Sequence, residues 1–184
     1  MKKTRMLTIT AMLSAVAFAL QVLGSIMGLK VGGFLEIEFS DLPAIIGSLA
    51  VGPVCGVFIE LIKNLLHCLI SSTGYVGELS NFVLNGVFVF VLGLAYRVNR
   101  TKSSAVMGFV AATATYTLLG VYSNYYVMVP FYSELFKLNL TKDAIFTMVL
   151  TVITPFNIAK GTVLALITIL IYKKLSPVIK GIAR

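Results

Sequence analysis

Three groups of polar side chains interrupt otherwise apolar stretches, and these are where chemistry could reside. Glu60, Lys63, Asn64 and His67 are spaced i, i+3, i+4, i+7, which puts all four on one stripe of a helix. Asn157 and Lys160 stand one helical turn apart, and Asn124 lies six residues before Pro130. Two carboxamides and an ammonium together offer donors and acceptors to a polar organic ligand that is uncharged or weakly anionic. Each group has a plainer alternative. The stripe could be an ion pair satisfied inside a bundle, and Lys160 could snorkel to headgroups while the asparagines bond between helices.

Other chemistries find little support. No Gly-x-x-x-x-Gly-Lys-Ser/Thr sequence is present, so no phosphate-cradling loop of that type is encoded. A single histidine, His67, argues against a His-rich metal cluster, and no Gly-x-Ser-x-Gly elbow points to a serine hydrolase. Asp41 and Asp143 sit at loop edges, unsuited to paired-aspartate proteolysis within a bilayer. Cys55 and Cys68 lie in apolar segments without zinc-type spacing and read as small core hydrophobes. No catalytic residue, metal or cofactor is expected.

The elements that position these residues are membrane helices. Of 184 residues, 58% are hydrophobic and 12% charged, with a mean hydropathy of +0.96. A soluble domain carries about a quarter charged residues. A spanning helix takes about 20 apolar residues, so the chain holds six short-looped spans and little else. The expected fold is an all-α integral membrane protein, one six-helix transmembrane domain over residues 1–184.

The first span runs from Met6 to Leu29. Its alternative, a signal peptide with Ala17 and Ala19 near a cleavage point, requires a shorter apolar run. Residues 30–41 form a glycine-bearing polar loop that could close as a lid, with Ser40 or Asp41 capping a second helix that has Pro43 in its first turn. Gly52-Pro53 breaks the stretch Leu42 to Ile70 into two helices. The fourth span is about Leu79 to Tyr96, and the fifth is Ala105 to Val129, ended by Pro130. Ala144 to Ile153 is too short to cross alone and is expected against the outer boundary of the bundle. Thr154-Pro155 then caps and opens the last span, Phe156 to about Tyr172.

Charge placement orients the bundle. Lys2, Lys3, Arg5, Arg97, Arg100, Lys102, Lys173, Lys174, Lys180 and Arg184 share one side of a six-span arrangement, which the positive-inside rule makes cytoplasmic, with both termini. Glu36, Glu38, Asp41, Glu78, Glu134 and Asp143 fall at or near the opposite face. The net charge of +8 is thus a topology signal and implies no nucleic-acid partner. Phe34, Phe39, Tyr75, Phe82, Tyr122, Tyr125, Tyr126, Phe131, Tyr132 and Phe156 cluster toward the outer end, as an interfacial belt or as walls for a flat heteroaromatic ligand. Ala11, Ala15 and Ala19, four apart, form a strip on which another helix can pack, within the chain or in a separate subunit.

The stretches Phe39-Ser-Asp-Leu-Pro43, Glu60-Leu-Ile-Lys-Asn-Leu-Leu-His67, Gly77-Glu-Leu-Ser-Asn-Phe82, Asn124-Tyr-Tyr-Val-Met-Val-Pro130 and Pro155-Phe-Asn-Ile-Ala-Lys-Gly161 occur in order across nearly the whole chain. Together they resemble the riboflavin-specific S components of energy-coupling factor (ECF) vitamin transporters. The resemblance implies a prokaryotic plasma-membrane protein that carries riboflavin, or its phosphorylated form FMN, as transported ligand. It implies ligand contacts from Asn124, Asn157 and Lys160, with Phe39, Asp41, Glu78 and Asn81 in matching motifs. It further implies that the alanine strip meets a transmembrane coupling subunit of the EcfT type, which sits on two cytoplasmic ATPases. An S component for thiamine or biotin, a self-sufficient secondary transporter working through the Glu60 to His67 stripe, and a bilayer enzyme are the competing readings.

Overall fold

The structure, a computed structural model, describes residues 3–27, 30–31, 35–36, 39–70 and 75–183. Among the described residues six helices follow in order. They are α1 (Lys3–Met27), α2 (Asp41–Ala50), α3 (Pro53–His67, extended by a 3-10 turn at Cys68–Ile70), α4 (Val76–Asn99), α5 and α6. α5 comprises Lys102–Ser123, a π turn at Asn124–Met128 and Val129–Leu135; α6 comprises Lys142–Met148, a π turn at Val149–Ile153 and Thr154–Ala183. Five are long and apolar enough to cross a membrane, and α2 is the short one. Between α1 and α2, Lys30–Val31 pairs antiparallel with Leu35–Glu36. The rest of the expected lid, including Phe34 and Glu38, lies outside the described residues, as do Lys2, Arg184 and the side chains of Glu36, Lys173, Lys174 and Lys180.

The expected break between α2 and α3 is present and has a clear cause. Gly52 adopts φ 143°, a conformation that a side chain disfavours, and Pro53 follows at the first turn of α3. The turn lets α2 and α3 pack side by side against α4. Ser48 donates to the Val89 carbonyl at 2.6 Å, and Gly93 approaches so closely that an added Cβ would meet the Ser48 hydroxyl and lie 2.9 Å from Pro53 Cα. Around this contact Ile45, Ile59, Val89 and Leu92 are fully buried. Gly93→Val is therefore expected to destabilise the bundle by about 1–3 kcal/mol through overpacking, read as a lower melting temperature in detergent. An unchanged melting temperature would show that α4 can shift without penalty.

Three local expectations are corrected. Pro130 does not end α5, and Thr154-Pro155 does not open the last span. Both prolines lie inside continuous helices, and the Ala144 to Ile153 stretch is part of α6. A proline lacks the amide that would reach the carbonyl four residues back, and its ring crowds that carbonyl. Each helix responds by widening one turn beforehand: Val129 N–H bonds to Asn124 O and Thr154 N–H to Val149 O, five residues back instead of four. The Thr154 hydroxyl also donates to Val149 O at 2.8 Å, so it serves the π turn instead of a helix cap. Ser40 precedes α2 without a side-chain capping bond; its hydroxyl accepts from Lys63 at 3.2 Å.

On α1 the residues turned inward are Ser14, Ala17 and Gln21. Ala11, Ala15 and Ala19 are exposed on the outer face of the bundle, so the strip is not spent on packing against the described residues. Cys55 belongs to the core, as expected of a small hydrophobe.

Candidate functional site

The polar groups of α2, α3, α4 and α6 meet inside the bundle. Asp41 opens α2 with its carboxylate inside the protein, 1% exposed. One oxygen lies 2.7 Å from Lys63 Nζ on α3 and the other 2.9 Å from Lys160 Nζ on α6. Lys63, fully buried, is also 2.8 Å from Glu60, itself fully buried. Two lysines thus face two acidic side chains, so that the formal charges of the four balance. A low-dielectric interior tolerates that arrangement far better than any single unpaired charge.

Around the quartet the remaining hydrogen-bonding groups are amides and one ring. Lys160 donates to Asn85 Oδ1 at 3.5 Å and lies 5.7 Å from the centroid of the Tyr116 ring. Asn85 donates to Asn81 Oδ1 at 2.9 Å, one turn earlier on α4. Tyr116 in turn stacks edge-on against Phe88 at 5.9 Å. Neither Asn85 nor Tyr116 was singled out from sequence. A signal for Asn85 existed, since it follows Asn81 by four and shares its helix face; Tyr116 carried none beyond lying two turns before Asn124.

The two expected carboxamides converge on one glycine. Asn124, buried, donates to Gly120 O at 2.8 Å, and Asn157, 2% exposed, packs its amide nitrogen where a Cβ on Gly120 would stand. That nitrogen has no hydrogen-bond partner among the described residues, so a buried donor is left to be satisfied. Asn124 opens the π turn of α5, and such widened turns often occur at functional sites. Lys160 stands one turn further along α6 from Asn157.

The other site expectations are distributed. Glu78, buried, lies 3.0 Å from His67 Nδ1, and His67 Nε2 is 3.4 Å from Ser25 Oγ, which ties α3 to α4 and α1. Gln21 donates to Asn64 at 3.5 Å. The stripe from Glu60 to His67 therefore pairs within the bundle. Phe39 is 45% exposed. Tyr122 and Tyr126 also face outward, as belt residues do. Tyr125 and Phe146 meet edge-on across the α5–α6 hairpin. A separate apolar cleft of about 590 Å³ follows the α5–α6 seam, walled by residues such as Phe109, Thr113, Thr117, Ile158 and Thr162. None of Asn124, Asn157 and Lys160 lines it.

The chain matches the family described as the substrate-specific component of ECF transporters over residues 5–172. It is 32% identical to the riboflavin transporter RibU of Staphylococcus aureus (strain TCH60), covering 99% of this chain and 96% of the relative. With the riboflavin transporter FmnP of Bacillus subtilis (strain 168) it shares 34% identity over 95% and 94% of the two chains. A solved S component of a bacterial ECF transporter superposes with a TM-score of 0.81 at 30% identity, covering 97% of this chain and 99% of that one.

Proposed function

The chain belongs to the family of substrate-specific components of ECF transporters, and from that premise we propose that its ligand is riboflavin, captured at the end of the bundle where Asn124, Asn157 and Lys160 lie. The observation that carries this reading is the meeting of two buried carboxamides at Gly120, one turn from an ammonium already neutralised by Asp41. A flavin ring is uncharged and presents an N–H between two carbonyls. An asparagine donor without a partner and a lysine can serve the carbonyls, and a carboxamide oxygen can accept the N–H. A cationic vitamin such as thiamine would compete with Lys160 for Asp41, a carboxylate already shared with Lys63.

In this reading the Arg97 to Lys102 side is cytoplasmic, both termini lie there, and capture occurs from outside. The exposed Ala11, Ala15 and Ala19 strip meets an EcfT-type coupling subunit that rests on two ATPases. Release requires that docking favour a conformation with lower affinity for the vitamin. No bond of the ligand is made or broken.

The test is direct. Protein purified in detergent from cells grown with riboflavin is expected to be yellow, and ligand-free protein to quench the fluorescence of added riboflavin at a one-to-one ratio. A colourless preparation that leaves flavin fluorescence unchanged would rule the assignment out. Uptake by proteoliposomes holding this chain alone would point instead to a secondary transporter.

A further inference from the structure

We propose that Asp41 acts as a positioning residue that holds and neutralises the Lys160 ammonium, coupling the start of α2 and the middle of α3 to the ligand-facing turn of α6. This deepens the riboflavin reading and rests on it for the ligand. The resemblance of its motif would make Asp41 a ligand contact, but the geometry points elsewhere. Each carboxylate oxygen faces an ammonium, one hydrogen-bonded to Lys63 at 2.7 Å and the other in ion-pair contact with Lys160 at 2.9 Å, 119 residues away along the chain. The side chain is 1% exposed and enclosed by helices.

The charge balance gives the role its physical content. Lys63 faces Glu60 at 2.8 Å as well as Asp41, so the formal charges of the four groups sum to zero. Losing Asp41 leaves one cation in excess in a region with little water, where an unpaired charge costs several kcal/mol. Lys160 then loses the carboxylate 2.9 Å away and keeps Asn85 at 3.5 Å and the Tyr116 ring as neighbours. It would be drawn toward Glu60 or toward water, and away from the place where a ring carbonyl would meet it. With Asp41 present, its ammonium is held 2.9 Å from the carboxylate at the start of α2, with the Asn85 carbonyl oxygen at 3.5 Å.

A double-mutant cycle with Lys160 tests the inference. Asp41→Asn is expected to weaken riboflavin binding by about tenfold or more when Lys160 is present, and by no more than about twofold in a Lys160→Met background. Melting of the ligand-free protein supplies an independent reading. Each single variant leaves the quartet with one unpaired charge, whereas the double variant is neutral, so the double variant is expected to melt above Asp41→Asn alone.

Melting losses that simply add, or an Asp41→Asn affinity loss that persists undiminished in the Lys160→Met background, overturn the proposal. Failure of the unaltered protein to bind riboflavin would sink the ligand assignment instead, while the melting cycle would still decide whether Asp41 and Lys160 act as a pair.

Discussion

Lys160→Ala is expected to weaken riboflavin binding by about a hundredfold or more, which is about 3 kcal/mol. Two losses combine. A charge-assisted hydrogen bond to a ring carbonyl is worth about 1.5–3 kcal/mol. Truncation also strips one oxygen of Asp41 of the ammonium 2.9 Å away, leaving a buried carboxylate that shares Lys63 with Glu60. Quenching titrations of flavin fluorescence measure the effect, with melting temperatures to confirm that the variant is folded. An unchanged affinity would put Lys160 outside the site and remove the main reason for favouring a neutral ring over a cationic vitamin.

Lys63→Met is expected to cost the fold about 3–5 kcal/mol, the largest stability effect anticipated for a single position. Lys63 is fully buried, 2.7 Å from Asp41 and 2.8 Å from Glu60, with Ser40 at 3.2 Å. Its removal leaves two enclosed carboxylates facing one remaining ammonium. The compensated variant Glu60→Gln/Lys63→Met retains only the neutral Asp41–Lys160 pair and should recover most of the loss. Thermal unfolding in detergent distinguishes the two outcomes. If Lys63→Met melts with the unaltered protein, the quartet contributes nothing to the stability of the fold.

The two lysines show how far local reading reached. Periodicity placed Glu60, Lys63, Asn64 and His67 on one stripe, and the structure agrees, because a helix converts spacing directly into direction. That Lys63 takes Asp41 as a second partner was not legible, since the pair is brought together only by the Gly52-Pro53 turn folding α2 back along α3. The same holds for Asn85 and Tyr116. Each is unremarkable in its own helix, and each becomes part of the site through the packing of α4 and α5 around Lys160. Pro130 and Pro155 mark the opposite failure. Local rules read them as helix boundaries, but a π turn that begins six residues upstream of each absorbs the missing amide and the crowded carbonyl. Tertiary packing then makes it worthwhile to keep the helix going, as Val129, Ile145, Val149 and Ile153 bury one another between the two extensions.

Composition and hydropathy by themselves determined that this chain is a six-helix membrane bundle, and spacing within helices determined which polar residues face inward. Both follow from interactions whose range is one or two turns, or from the energetic demand of the bilayer on every residue alike. Only the tertiary structure decided that Asn124 and Asn157 share Gly120 and that Lys160 is neutralised by a carboxylate 119 positions earlier. Pairings between distant helices depend on how bodies of several turns stack against one another. No local window of sequence carries that geometry.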